Sequence, residues 1–336
     1  MSLLQILWFI LIAILWAGFF FLEGFDFGVG MQFFGLAKDD HDREALYQSI
    51  GPNWDANEVW LITAGGAMFA AFPYWYASLF SGFYLMLLVV LLALIYRGSA
   101  FEFREHMPTI QGTRLWERLI VLSSFIAPFF LGMIFTAMAS GMPIDAHGDL
   151  TAGFFDYVTP FTLVGGIAVT LMSYIHGLNF TRLKIEGKIT TRATAQLKLL
   201  YPVLLAGEVL FAILLFFYTD FIQTKPLLTV ILLAILVVMT LLGWYSTYHN
   251  GKTFPFLLSG FGLVVVVVLL FTGLFPRLMV AHNPAHSLLI ATSSSTPYTL
   301  RVMTYVVATA LPLTLGYQIW SFYVFRKRIV SHKVIE

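Results

Sequence analysis

Nine apolar runs, each close to the length of a bilayer crossing and joined by short loops, constrain this chain more than any motif does. A crossing helix needs ~20 mostly apolar residues at 1.5 Å rise per residue. The runs fall near residues 3–21, 55–72, 74–96, 119–140, 160–180, 199–219, 226–245, 256–275 and 302–325. The second and third meet at Phe72, Pro73 and Tyr74, where proline ends one helix and seeds the next. With 59% hydrophobic and 11% charged residues over 336 positions, no polar stretch is long enough for a soluble domain. Residues 1–336 therefore read as a single transmembrane domain of an all-α integral membrane protein. The start has neither a basic n-region nor a cleavage site, so the first run is expected to be a retained span. No cysteine is present, which excludes disulfides, thiolate metal sites and a cysteine nucleophile in this chain. A net charge of +1 gives no sign of a nucleic-acid partner.

Lysine and arginine set the expected orientation. With the N-terminus outside, the loops facing the cytoplasm hold Lys38, Arg43, Arg97, Arg104, Arg114, Arg118, Arg182, Lys184, Lys188, Arg192, Lys198 and Lys252. The C-terminal tail adds Arg326, Lys327, Arg328 and Lys333 on the same side. Only Lys225, Arg277 and Arg301 fall outside. This asymmetry predicts an external N-terminus and a cytoplasmic C-terminus by the positive-inside rule. The larger external loops are 141–159, with Asp145, Asp149 and Asp156, and 277–301.

Ionisable residues at membrane depth are costly and point to function. Glu23 and Asp26 lie at i, i+3 near the end of the first span, hence on one helix face. Asp55 and Glu58 repeat the spacing at the start of the second, and Arg97, Glu102 and Arg104 follow the third. All lie toward the cytoplasmic end, where they are expected to line one wetted entry suited to proton uptake. Glu208 stands apart, ~13 Å into the sixth span. It reads either as a relay member or as a residue hydrogen-bonded to another helix.

Other motifs carry less. Gly28-Val29-Gly30 with Gly35 breaks dinucleotide-binding spacing. Gly24 with Gly28, and the run Ala64-Gly65-Gly66-Ala67, are expected to be close helix-packing surfaces. His41, His106, His249 and His332 fall on the cytoplasmic side, while His147, His282 and His286 fall outside. His176 is near the inner end of the fifth span. None is placed mid-membrane, so no haem iron ligated by this chain is expected. Residue chemistry alone leaves open an oxidase subunit, a proton-coupled transporter and a scaffold subunit without chemistry of its own.

Two strings narrow the choice. The run Glu23-Gly24-Phe25-Asp26-Phe27-Gly28-Val29-Gly30 resembles the first-span signature of subunit II of cytochrome bd-type quinol oxidases. So does the run from Gly51 to Pro73, which contains Trp54-Asp55-Ala56-Asn57-Glu58-Val59-Trp60. The stretches Arg97 to Arg104 and Thr191 to Gln196, and Phe275-Pro276, are similar to that family too. The resemblance implies nine helices arranged as two four-helix bundles plus one extra helix, in a bacterial cytoplasmic membrane. It implies a heterodimer with subunit I, which ligates haems b558, b595 and d, in a complex that oxidises quinol and reduces O₂ to water. Small single-span accessory subunits join such complexes in some cases, and some members hold a structural quinone in subunit II. By the same resemblance Asp55 belongs to the proton route, with Glu23 and Glu102 as further acids, and Trp60 stands by an oxygen path.

Overall fold

The computed structural model describes residues 1–331, so His332 and Lys333, expected in the cytoplasmic tail, lie outside the described residues. The chain is nearly all helical. It runs α1 (Leu3–Gly30), α2 (Gln32–Gly35), α3 (Asp40–Ile50), α4 (Trp54–Ala71), α5 (Pro73–Gly82), α6 (Tyr84–Arg104) and α7 (Ile110–Ser140). Then follow α8 (Pro160–Lys184), α9 (Lys188–Tyr218), α10 (Phe221–Thr224), α11 (Pro226–Tyr248), α12 (Thr253–Leu274), α13 (Ile290–Ser293) and α14 (Pro297–Val324). Among the described residues, eight helices are long and apolar enough to cross a membrane. The other expected span, α4, has 18 residues and so reaches ~27 Å. Asp55, Asn57 and Glu58 in its first two turns make it less apolar than the rest.

The helices α1, α7 and α9 run well past the apolar stretches that announced them. Apolar sequence marks only the part in lipid, while the backbone ladder continues until a breaker ends it. The expected third span, 74–96, is not one helix. It breaks at Phe83, leaving α5 with ten residues, too short to cross, and a spanning α6 that starts at Tyr84. The 141–159 loop packs on the break: Tyr157 Oη donates to Gly82 O at 2.7 Å, and Ser78 Oγ to Gly148 O at 2.6 Å.

One bundle comprises α1, α4, α6 and α7, and the other α8, α9, α11 and α12. The helix α1 packs on α4, α8 and α12, α7 lies between α6 and α8, and α14 rests on α1 and α4. Glycine sets the tightest crossings. A Cβ at Gly28 would run into the Ser173 carbonyl and the Gly177 backbone, and one at Gly132 would meet Gly165 O at 2.6 Å. The small-residue surface expected at Gly28 is therefore real. In the run Ala64–Ala67, Ala64 is buried, whereas Gly65 and Gly66 have no other atom of the described residues within 4 Å of their Cβ positions and so do not pack closely within this chain. These two glycines line a cleft of about 540 Å³ that α5 bridges between α4 and α6.

Two short pairings tie off the ends. At the Lys/Arg-rich end β1 (Ile185–Glu186) pairs in parallel with β4 (Ile329–Val330), and Arg328 bonds Glu186. At the opposite end β2 (Arg277–Met279) pairs antiparallel with β3 (Leu288–Leu289). There Asp220 accepts two hydrogen bonds from Arg277, at 2.7 and 2.8 Å.

Two outcomes follow from this packing. Gly28→Ala should destabilise the detergent-solubilised protein by about 1–3 kcal/mol, because a backbone clash has no rotamer to relieve it. Gly65→Ala should leave its thermal unfolding unchanged. The Arg277 bonds hold the Asp220 carboxyl below the usual carboxylate range. A depressed folded value means the stabilisation is present above the ordinary carboxylate pKa, ~3.9, and fades as pH falls below it. Asp220→Asn should lower thermal stability at neutral pH and remove that acid-side loss, as unfolding scans across pH would show.

Candidate functional site

The site forms where α1, α4 and α6 end together at the Lys/Arg-rich face. Spacing of i, i+3 brings Glu23 and Asp26 to one side of α1, and both are fully buried. Arg97 comes from α6 and is also fully buried. Its Nη1 bonds Glu23 Oε1 and lies 3.4 Å from Glu58 Oε2. The guanidinium carbon sits 4.8 Å from the centre of the Phe27 ring and 5.4 Å from that of Phe101, two cation–π contacts. Asp26 does not bond the arginine. Its Oδ2 accepts from Asn57 Nδ2 at 2.7 Å.

Asn57 begins a polar strand of contacts that reaches the last helix. Gln318 Nε2 donates to Asn57 Oδ1 at 3.3 Å, and Trp60 Nε1 donates to Gln318 Oε1 at 2.9 Å. Ser321 Oγ donates to Asn53 Oδ1 at 3.1 Å just below. The Trp60 ring fills the space that a side chain at Gly18 would need. It forms part of the wall of an apolar cleft of about 880 Å³ among α1, α12 and α14, with Phe21, Phe271, Leu315 and Phe322.

Of the residues expected from the sequence, the structure brings together Glu23, Asp26, Glu58 and Arg97. Asp55 stands at the rim, exposed in the first turn of α4, where its Oδ1 accepts from Ala56 N at 2.7 Å. A carboxylate suits that place because the helix N-terminus carries partial positive charge. Glu102 is at the same end, since Trp54 stacks on neighbouring Phe101 at 5.1 Å, but its side chain is exposed and away from Arg97. Five helical residues turn it ~140° from the Arg97 face.

Asn57 and Gln318 were not legible as site residues. Neither is ionisable, and Gln318 arrives from far along the chain. A second ionic group beneath the first was missed as well. Glu117, 1% exposed, takes Arg104 at 3.1 Å and Arg114 at 2.8 Å, and Arg104 also reaches Glu44 at 2.9 Å. Its signal was hidden because the apolar run starts at Leu119, whereas α7 begins at Ile110. Neither group includes a histidine. His176, the buried one among the described residues, has both ring nitrogens engaged, with Ser259 Oγ at 2.9 Å and Phe21 O at 3.0 Å. Among those residues no set of three His, Cys, Asp or Glu could hold a metal ion.

Comparison with known proteins accords with this picture. Residues 4–325 match the family model described as cytochrome bd terminal oxidase subunit II. The chain is 43% identical over 334 residues to the cytochrome bd ubiquinol oxidase subunit 2 of Bacillus subtilis (strain 168), covering 99% of this chain and 98% of the relative. It is 31% identical to the cytochrome bd-I ubiquinol oxidase subunit 2 of Escherichia coli (strain K12), covering 98% and 96%. A chain in the structure of bd oxidase from Geobacillus thermodenitrificans shares the fold, with a TM-score of 0.76 at 15% identity over 96% of this chain and 97% of that one. The chain is thus a multi-pass membrane protein that belongs to the cytochrome bd terminal oxidase subunit II family.

Proposed function

We propose that this chain is the subunit of a quinol:O₂ oxidoreductase that brings protons in from the cytoplasm, which we place at the Lys/Arg-rich end. One observation carries the reading: Glu23, Asp26 and Glu58 crowd around a single buried arginine. Three carboxylates against one cation leave an excess of negative charge in a low-dielectric site, and bound protons are the means of balancing it. Glu23 Oε2 and Asp26 Oδ1 have no hydrogen-bond partner among the described residues, so each has a position free for a proton or a water. Asp55 and Glu102 stand at the mouth, Glu58 is half-covered, and Asp26 and Glu23 lie inside. A carboxyl can take, hold and release a proton in turn, which an amide of the same shape cannot.

The donor set here does not suit a haem iron, so we assign haems b558, b595 and d to subunit I. The exposed side of α14, where only Leu300 and Gln318 are buried, flanks the acid cluster together with Val59 and Ile62 of α4. We assign subunit I to that side. To the apolar cleft beside Trp60 we assign O₂ entry and, in members that hold one, the tail of a structural quinone.

Asp55→Asn in the purified complex should keep the haem bands and slow quinol oxidation by about a hundredfold, the scale of losing one proton-transfer group. Full turnover in an assembled variant would mean that protons enter elsewhere. Trp60→Ala should raise KM for O₂ and leave turnover at saturating O₂ much closer to normal. Arg97→Gln leaves buried acids without a cation and should cost about 3–5 kcal/mol of stability, seen as lost assembly. Adding Glu23→Gln to it should recover assembled complex, as a count of haem-bearing particles would show.

A further inference from the structure

The bundle of α8, α9, α11 and α12 holds a buried carboxyl of its own, apart from the Arg97 cluster. Glu208 is 6% exposed and lies ten residues before the end of α9, which is ~15 Å along the helix and near mid-bilayer. Its Oε1 accepts from Thr240 Oγ1 at 2.6 Å, while its buried Oε2 has no partner among the described residues. Among the described residues no cation pairs with it. An unpaired carboxylate in hydrocarbon carries a heavy desolvation cost, so the neutral acid is the form this site holds. On one side Glu208 lines a cleft of about 430 Å³ between α9 and α11, whose rim residues Val209, Ile213 and Phe216 are exposed on the lipid-facing surface.

On the other side is a line of hydroxyls. A small cavity of about 10 Å³ touches Thr240, Tyr201 and Ser259, which is about the room and the number of polar partners that one water needs. Tyr201 Oη accepts from Asn179 Nδ2 at 3.0 Å, and the same amide donates to Ser259 Oγ at 3.2 Å. Thr247, within hydrogen-bond reach of Tyr201, is buried, donates to Gly243 O at 2.8 Å, and is one residue from the Lys/Arg-rich end of α11.

We propose that Glu208 is an exchangeable proton-binding site in mid-membrane, served from that end through Thr247, Tyr201, one bridging water and Thr240. The α9–α11 cleft opens the same carboxyl to lipid-dissolved reagents. Each hydroxyl in the line accepts a proton from behind and releases one ahead, so no group changes its net charge as protons exchange at Glu208.

Infrared difference spectroscopy of the intact oxidase complex in H₂O and D₂O tests this. A carboxylic C=O band that Glu208→Gln removes should shift in D₂O. Thr240→Val and Tyr201→Phe should each slow that shift by about tenfold, the scale of one lost hydrogen bond. Thr240→Ser, which keeps the hydroxyl, should exchange as the parent does, and unchanged haem spectra should accompany all four variants. Dicyclohexylcarbodiimide, which is lipid-soluble, should label Glu208 in the parent, as peptide mass analysis would detect. Absence of the carboxylic band, or exchange unaltered in both Thr240→Val and Tyr201→Phe, would overturn the proposal. So would failure of the carbodiimide to label Glu208.

Discussion

A single buried guanidinium with three carboxyl groups around it is the constraint on which the rest of this fold turns. Arg97 is fully buried, and removing it from water is tolerable only because Glu23 and Glu58 meet it and two aromatic faces flank it. Those groups come from α1, α4 and α6, so three helix ends are held to one point. Asn57 extends the arrangement to Asp26, and Gln318 extends it to α14. The polar interior thereby fixes the relative depth of four helices, a task that apolar side chains surrounded by lipid perform poorly.

Close packing does the complementary work away from the acids. In hydrocarbon, apolar surfaces gain little by leaving lipid, so helices associate where their backbones approach. The Gly28–Gly177 and Gly132–Gly165 crossings make α8 the hub against which α1 and α7 rest. Both bundles share that hub, so the acid-lined end of the first and the Glu208 region of the second are parts of one framework.

Much of this was legible in the sequence because lipid imposes a simple rule on composition. Apolar run length located the spans, and the acids at i, i+3 identified the face of α1 that closes on Arg97. What escaped had physical reasons. Phe72-Pro73-Tyr74 announced one helix boundary, but nothing local marked the break at Phe83, which the folded 141–159 loop supports from outside. Gly65 and Gly66 looked like a packing surface, yet small residues also occur where a helix borders an open cleft. Glu102 was grouped with Arg97 by nearness in sequence, and helical turn separates them. Gln318 was invisible because its partners, Asn57 and Trp60, lie some 260 positions earlier, at the far end of the chain.

That last contact bears on how the molecule is made. The helix α14 leaves the ribosome after every other span, and until it docks, Asn57 lacks the amide that braces it and Trp60 lacks its acceptor. Until then Asn57, which holds Asp26, is open on the side that α14 covers. Docking of α14 completes the polar contacts of Asn57 and Trp60, and the pairing of β4 with β1 fastens the chain beyond it. The polar network that braces the acid cluster thus joins the first long helix to the last one among the described residues, and it is complete only when α14 is in place.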